Sequence, residues 1–380
     1  MSTPHEAQAL DCNTCLSPGS FMNQRFAGVQ LLRFAAAMLV VAMHVPQAIS
    51  IHITGSGTGH YWALDSAGVD IFFVISGFVM AVSTSPSPPR VLPRLKAAWI
   101  FLKRRLLRIV PLYWFYTLAK AALLLALPGL ASRSSIDPEH LAASLLFIPV
   151  ISPWGLVEPT LPVGWTLNFE MLFYSIFALA IAWGAPRIKF CLLAFLLFFL
   201  AGRYFPDSTA LAFYARTITF EFLLGMCIAY TFRNFKEIPS WVGLFAVIAG
   251  LILMFGIDWN ASTDRLISWG AAATLLVMGA VWLEPWTAAT RPARALSFLG
   301  DSSYSIYLSH TFVVPAGVMA LHKLGVQESL IVIPAVLLVV VLSGCISYLW
   351  LERPMTSFFK RIFFAAPEPV YQNHEVHHAK

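Results

Sequence analysis

Long apolar stretches, separated by short polar or proline- and glycine-containing segments, dominate the chain. About ten of them reach or approach the roughly 20 residues that a helix needs to cross a bilayer. The predicted spans are 27–48, 68–83, 109–128, 165–184, 188–204, 210–232, 239–257, 265–284, 299–322 and 328–351. The pattern therefore predicts an all-α integral membrane protein with about ten transmembrane helices.

Segments outside these spans complete the predicted organisation. Residues 1–24 form a polar tail without the apolar core of a signal peptide, so the first apolar segment is expected to stay in the membrane. One transmembrane domain follows over residues 25–356, and residues 357–380 form a second tail. The apolar stretch 140–151 is too short to cross and is expected to form a re-entrant or interfacial helix.

Composition and charge agree with this class. Of the 380 residues, 58% are hydrophobic and only 12% are charged, whereas soluble domains carry about 25% charged residues. The net charge of +6 does not indicate nucleic-acid binding, because most basic residues lie in short segments beside the predicted spans. These basic residues are more frequent in the segments on one side of the predicted membrane than on the other, and this asymmetry predicts that both termini lie in the cytoplasm. Cys12 and Cys15 lack a nearby second ligand pair, so no metal site is predicted.

Ionisable residues inside the predicted spans are the candidates for function, because a charge in a membrane helix is costly. They are Arg33, His44, Asp70, Lys120, Glu170, Arg216, Glu221 and His310. For Glu221 and His310, a structural hydrogen bond to a neighbouring helix explains their presence equally well.

Arg33 and His44 lie eleven residues apart in the first span. A helix brings such a pair to nearly the same face, about 16 Å apart along the axis. The predicted topology puts His44 and Glu170 at the same depth, with Asp70 nearer the extracytoplasmic surface. A histidine beside a carboxylate is the arrangement that general base catalysis requires.

A basic layer is predicted at the cytoplasmic face. Arg105 and Arg108 are three residues apart and point the same way on a helix, and Arg33 lies at the same level. Guanidinium groups suit phosphate, so the layer predicts an anionic, phosphate-bearing ligand that enters from the cytoplasm. Two alternatives remain: the basic run 90–108 only sets topology, and Glu352 and Arg353 form an ion pair at a helix end.

At these residues the sequence resembles the acyltransferase-3 family of membrane O-acyltransferases. The first helix carries the family's pairing of an arginine with a histidine eleven positions later, as Arg33 and His44. The wording of the second and third motifs is closest to rhizobial-type exopolysaccharide O-acetyltransferases, among relatives that also include O-antigen acetyltransferases. The matching stretches, in order, are VQLLRFAAAMLVVAMH (29–44), GVDIFFVISGFVM (68–80), RRLLRIVPLYW (104–114), GWTLNFEMLFY (164–174), FEFLLGM (220–226), LGDSSYSIYLSH (299–310) and LERP (351–354).

The resemblance implies an O-acyltransferase of the bacterial inner membrane that uses acyl-CoA, most often acetyl-CoA, as co-substrate and has no bound cofactor. Its acceptor would be a carbohydrate hydroxyl on a cell-surface or exported polysaccharide, possibly lipid-linked. His44 would be the essential catalytic residue, Arg33 would contact the donor, and Arg105 and Arg108 would bind CoA phosphates. Glu170 would support the reaction centre by orienting the imidazole, and the residue pattern adds Asp70 as an assisting carboxylate.

The buried charges also permit a second hypothesis from another class. His44, Asp70 and Glu170 could form the proton relay of a transporter or flippase. This reading lacks the paired interrupted helices common in transporters, and it gives no reason for the arginine cluster.

Overall fold

The computed structural model of the protein describes residues 26–54, 64–84, 93–127, 136–235, 238–257, 263–287 and 297–364. Within these ranges the regular structure is helical, apart from an isolated β-bridge between Ile151 and Val157. The all-α prediction is therefore confirmed for the described chain. The predictions for the tail 1–24 and for residues beyond 364 in the tail 357–380 lie outside the described residues.

The described chain is organised by helices, which are numbered in chain order. They are α1 (Ala27–Ile49), α2 (Leu64–Ser83), α3 (Arg94–Ala126), α4 (Pro138–Leu145), α5 (Trp165–Trp183), α6 (Arg187–Tyr204), α7 (Thr209–Tyr214), α8 (Glu221–Asn234), α9 (Ser240–Phe255), α10 (Ala271–Trp282), α11 (Glu284–Thr287), α12 (Ser303–Lys323), α13 (Ser329–Ser347) and α14 (Arg353–Phe364). Residues 297–301 are also helical and directly precede the last turn before α12. Short 3₁₀ or π-helical turns extend several of them, at Ser50–Thr54, Pro162–Gly164, Thr217–Phe220, Leu266–Gly270 and Tyr348–Glu352.

Five helical segments are long and apolar enough to cross a membrane: Ala27–Ile53, Arg94–Ala126, Pro162–Trp183, Ser303–Lys323 and Ser329–Phe364. Shorter apolar helices cover Ala67–Ser83, Ser240–Phe255 and Leu266–Trp282. These segments support a membrane protein by length and composition, while the count of ten spans and the cytoplasmic termini stay predictions.

Helix α3 begins fifteen residues before the predicted start of the third span, at Arg94 instead of 109. The basic residues from Arg94 to Arg108 are therefore part of the helix, as the helical reading of Arg105 and Arg108 requires, although the predicted span began after them. Leu, Lys, Arg and Ala all favour helix, so the polar turns continue the apolar ones without interruption. Apolarity alone located the span but not the end of the helix.

The predicted sixth span, 210–232, is wrong as a single helix. It divides into α7, a 3₁₀ turn at Thr217–Phe220 and α8. At the break the Thr219 hydroxyl donates to the Arg216 carbonyl at 2.8 Å, which offers the backbone a partner outside the helical ladder. The Arg216 guanidinium lies over the Phe213 ring, 5.0 Å from its centre.

The segment 140–151 is helical only in its first part. Helix α4 starts at Pro138, where the Asp137 side chain caps the helix by accepting from the Glu139 amide at 3.0 Å. It ends at Leu145, and Phe147 then takes a positive φ of 58°. The predicted helix thus exists but is shorter.

Helices α1 and α2 lie at the centre of the fold. Both contribute buried side chains to the apolar cluster formed with α3, α5 and α6, and to the one formed with α8 and α10. Helix α1 also contributes to a third cluster, with α12 and α13. Around them, α6, α9 and α13 expose large apolar side chains, such as Leu200, Phe245 and Leu338, which suits contact with lipid.

Helix α1 is held by close backbone contacts and a buried carboxylate. Glu284 accepts from the amides of Ala27 and Gly28, at 2.7 and 3.0 Å, and so satisfies the free N–H groups at the start of α1. A side chain at Gly68 of α2 would meet the Ala36 carbonyl oxygen at 2.5 Å. The position of α1 therefore depends on the Glu284 cap at its N-terminal end and on glycine at position 68 of α2.

We expect Gly77→Ala to destabilise the fold, because α2 and α8 cross in backbone contact there. An added Cβ at Gly77 would overlap the Phe222 carbonyl oxygen, and helix pairs in membranes depend on small residues for such approach. Thermal unfolding of the detergent-solubilised protein should show a melting temperature several degrees lower. Gly317→Ala is the matched control, since its nearest neighbour is a Val336 side-chain carbon at 3.3 Å. Equal melting temperatures of the Gly77→Ala and Gly317→Ala variants would contradict the close crossing of α2 and α8.

Candidate active site

Three arginines and one glutamate line a cavity between α1, α2, α3, α5 and α12, which we call the arginine cavity. Arg33 comes from α1, Arg105 and Arg108 from α3, and Glu170 from α5. The empty space measures about 780 Å³, including the open space at its mouth. The remaining lining is largely apolar and aromatic, including Val69, Phe72, Phe73, Tyr174, Tyr304 and Tyr307.

The arginines of this cavity have few partners of their own. Arg33 donates to Gln30 Oε1 at 3.3 Å and Arg105 donates to Ser83 Oγ at 3.1 Å, while the buried Arg105 Nε has no hydrogen-bond partner. Among the described residues, no carboxylate oxygen lies within 4 Å of these three guanidinium groups. The cavity therefore concentrates positive charge that the described chain leaves unpaired, as an anion-binding site would.

Glu170 is oriented within the same cavity by aromatic hydroxyls. Tyr174, one turn further along α5, donates to Glu170 Oε2 at 3.1 Å, and Ser76 of α2 lies 3.5 Å from the Tyr174 hydroxyl. Glu170 is close enough to Arg33, Arg105 and Arg108 for electrostatic attraction without forming an ion pair. It thus offsets part of the arginine charge.

His44 lies in a second cavity, between α1, α3, α5 and α12, which we call the histidine cavity. This cavity has about 1220 Å³ of empty space, including its open mouth. Its polar lining comes from several elements: His44, Gln47, His52, Lys120, Glu158, Trp165, His310 and Thr311. Hydroxyl-bearing ligands suit such a mixture of aromatic and hydrogen-bonding groups.

The contacts of His44 define which ring nitrogen is free. Nδ1 lies 2.8 Å from the Val40 carbonyl oxygen, which can only accept, so Nδ1 carries the hydrogen in the neutral ring. Nε2 then holds a lone pair and can take a proton. The His44 ring meets the His310 ring edge-on, with 4.9 Å between centres.

Two side chains separate the cavities and belong to both. Val69 and Tyr307 line the arginine cavity and the histidine cavity alike. Tyr307 is held in place because its hydroxyl donates to the Val163 carbonyl at 2.8 Å and lies 3.0 Å from Thr166 Oγ1. The two cavities are therefore neighbours across a single layer of side chains.

The structure does not bring His44 together with the carboxylates expected beside it. Glu170 lies with the arginines, and Asp70 is fully buried in a bidentate ion pair with Arg265, at 2.9 and 2.8 Å. The expected contact of His44 with Glu170 or Asp70 is therefore wrong. The prediction that Glu170 lies level with His44 is not supported either, because Glu170 lines the cavity of Arg33 and the α3 arginines, while Trp165, five residues earlier on α5, lines the cavity of His44.

One structural interpretation from the sequence is wrong, and two buried groups have no hydrogen bond of good geometry. Glu221 and His310 are both completely buried, and within the described chain Glu221 has only Asp70 of α2 near its oxygens, while His310 has only the Ile306 and Tyr307 carbonyl groups of its own helix near its ring nitrogens. Glu352 does not pair with Arg353 but accepts from Ser305 Oγ at 2.7 Å. Unpartnered buried groups of this kind are rare and call for an explanation.

Some residues of the site were not identified from sequence. Arg265 stands at the first position of the predicted span 265–284, and nothing in its local pattern indicates that it reaches Asp70. Tyr174 and Tyr307 carry no charge and so escaped the search for costly groups, although both stand in the motif stretches quoted above. The signal for them was the motif, not the hydropathy.

Comparison with known proteins adds an independent line of evidence. A family model described as an acyltransferase domain matches residues 26–350. The exopolysaccharide production protein ExoZ of Rhizobium meliloti (strain 1021) is 38% identical over 317 residues, which is 78% of this chain and 92% of that protein. The acyltransferase MdmB of Streptomyces mycarofaciens is 31% identical over 157 residues, 39% of this chain and 37% of that protein. No solved structure matches the chain.

We expect Arg265→Ala to destabilise the protein strongly. It would leave the Asp70 carboxylate buried without its cation and next to the unpartnered Glu221, and breaking such a pair costs about 3–5 kcal/mol. Thermal unfolding in detergent measures the loss, and adding Asp70→Asn to this variant should recover part of it. Arg203→Ala is the control, because Arg203 is exposed and its guanidinium lies over the Phe199 ring. Similar melting of the two single variants would contradict a stabilising role for the pair.

Proposed function

Because the chain belongs to the acyltransferase-3 family, we propose that it transfers an acyl group, most simply acetyl, from acyl-CoA to a carbohydrate hydroxyl. The acceptor that we propose is a cell-surface or exported polysaccharide, free or lipid-linked, in line with the printed name of the relative ExoZ. The site of action is the bacterial inner membrane, with both termini and the arginine cavity on the cytoplasmic side.

The observation that carries this proposal is the unpaired positive charge of the arginine cavity. Arg33, Arg105 and Arg108 lie together with no carboxylate within ion-pair distance among the described residues. Coenzyme A brings several phosphate groups, and guanidinium groups bind phosphate with charge-assisted hydrogen bonds. Burying such a cluster without a ligand is costly, so a bound anion accounts for it.

The neighbouring histidine cavity supports the second half of the proposal. It is larger than the arginine cavity and combines Trp165 with hydrogen-bonding side chains, which suits a sugar. The long pantetheine arm of the donor would run past Val69 and Tyr307, the side chains that both cavities share. The thioester would then meet the acceptor hydroxyl at His44.

His44 supplies the proton transfer in this mechanism. As the acceptor oxygen attacks the thioester carbon, His44 Nε2 takes its proton, and the proton then goes to the leaving sulfur as the C–S bond breaks. Alternatively, Nε2 attacks the thioester first and carries the acyl group to the hydroxyl. In this proposal Glu170 contributes its charge to the arginine cavity, and Asp70 holds Arg265 in an ion pair. Neither carboxylate contacts the His44 imidazole.

The transporter hypothesis finds less support. A proton relay needs its groups within hydrogen-bonding reach of one another, directly or through water. His44, Asp70 and Glu170 have their hydrogen bonds to Val40, Arg265 and Tyr174 respectively, each in a different place. No contact among the described residues favours a relay through these three.

His44→Ala is expected to abolish acyl transfer while leaving the fold intact, because the only proton acceptor proposed at the thioester is removed. The loss should be at least about 10²–10⁴-fold in kcat. Release of free thiol and esterification of polysaccharide, measured with purified full-length protein and acetyl-CoA, report it. His322→Ala, on α12 but outside both cavities, should retain wild-type activity. Undiminished turnover in His44→Ala would remove this residue from the mechanism.

Arg108→Gln is expected to weaken donor binding selectively, since it removes a charged donor from the arginine cavity. A hydrogen bond to a charged group is worth about 1.5–3 kcal/mol, so the KM for acyl-CoA should rise about tenfold or more. The KM for the acceptor should stay unchanged. Arg104→Gln is the matched control, because Arg104 lies on the same helix but is exposed and outside the cavity. An equal effect of both variants would indicate only a general loss of surface charge.

A further inference from the structure

We propose that His310 is a second catalytic residue, a neutral N–H donor that binds the thioester carbonyl oxygen as it becomes an oxyanion beside His44. This inference rests on the proposed acyl transfer and assigns a group to the charge that this reaction creates. It concerns a residue that the sequence could equally explain as a structural hydrogen-bonder.

The burial and contacts of His310 point to a ligand. Its side chain is 0% exposed and lines the histidine cavity, yet within the described chain neither ring nitrogen makes a hydrogen bond of good geometry, and only the Ile306 and Tyr307 carbonyl groups of its own helix lie near the ring. Leaving a buried polar group unpaired costs about 1–3 kcal/mol. A substrate oxygen in the cavity would remove that cost, which explains why the fold keeps an imidazole there.

The position of His310 fits the oxygen that reacts. Its ring centre lies 4.9 Å from that of His44, so one substrate carbonyl group can contact both rings. Tyr307, one turn earlier on α12, packs against His310 at 5.9 Å and is itself tied to Val163 and Thr166. His310 is therefore held on a rigid support, as transition-state stabilisation requires.

Charge decides which role each histidine can take. When His44 accepts the acceptor proton it becomes an imidazolium, and a second buried cation at this distance would be strongly unfavourable. His310 therefore stays neutral, with one N–H to donate. Metal binding explains the pair less well, because the described residues contain no group of three His, Cys, Asp or Glu that could hold an ion.

The step balances with these two groups. The acceptor oxygen forms a bond to the thioester carbon and gives its proton to His44 Nε2, while the carbonyl π electrons move to oxygen. The His310 N–H donates to that oxyanion. When the C–S bond breaks, the electron pair on oxygen restores the carbonyl, and His44 returns the proton to sulfur. If His44 Nε2 instead attacks the thioester carbon, the C–S bond breaks and coenzyme A leaves as a thiolate; the acceptor hydroxyl then displaces the imidazole from the acyl group and gives its proton to that thiolate. The same oxyanion forms in each half-reaction, and His310 serves both.

The test compares His310→Gln with His310→Leu in full-length protein, using acetyl-CoA and host polysaccharide. Loss of one oxyanion donor lowers kcat by about 10²–10³-fold, so we expect that loss in the Leu variant with an unchanged KM for acetyl-CoA. Gln keeps an N–H donor, so the kcat of the Gln variant should be at least about tenfold higher than the kcat of the Leu variant. His322→Leu, the same change on the same helix outside the cavity, should match wild type.

Each outcome separates the inference from the proposed function. Equal kcat in the Gln and Leu variants, whether high or low, overturns the donor role, since that role predicts a difference. A rise in KM with unchanged kcat overturns it too, because that result is what a residue that only binds substrate in its ground state would give. If the Leu variant does not fold, His310→Met takes its place, as its flexible side chain fills irregular spaces. Wild-type protein that acylates no polysaccharide would instead overturn the proposed function itself.

Discussion

The proposed donor-binding site and the proposed catalytic histidine both depend on the position of one helix. Helix α1 carries Arg33 and His44 eleven residues apart, so its 1.5 Å rise per residue separates the two side chains by about 16 Å on one face. Its position determines where the arginine cavity and the histidine cavity lie. That position depends on the Glu284 carboxylate at its first turn and on Gly68 of α2, where a side chain would collide with α1.

The buried charges of this protein fall into two kinds. Asp70 and Arg265 compensate each other in a bidentate pair, as a membrane protein requires for structural charges. The arginines of the first cavity have no such ion pair in the described chain, the neutral His310 ring has no hydrogen bond of good geometry there, and both line cavities. Since a buried group without a partner costs free energy, this second kind indicates where ligands bind.

Much of the fold and part of the site follow from the sequence. Apolar length predicted helices at the positions of α1, α2, α5, α9 and α10, and helical periodicity put Arg33 and His44 on one face. The spacing of Arg105 and Arg108 predicted that both reach one cavity, which the structure bears out. The start of α3 was missed because its charged turns lower the average apolarity although they are helical, and the break before α8 was missed because the threonines there change that average little.

The sequence by itself determined the class of protein, the family and the residue types that carry charge into the membrane, because these depend on composition, length and motif. Only the tertiary structure decided which charges meet. The packing of the helices pairs Asp70 of α2 with Arg265, places Glu170 of α5 in the cavity of the arginines, and sets the His44 ring against the His310 ring. Periodicity relates side chains within one helix, but contacts between helices depend on packing at glycines such as Gly68 and Gly77, which no local pattern encodes.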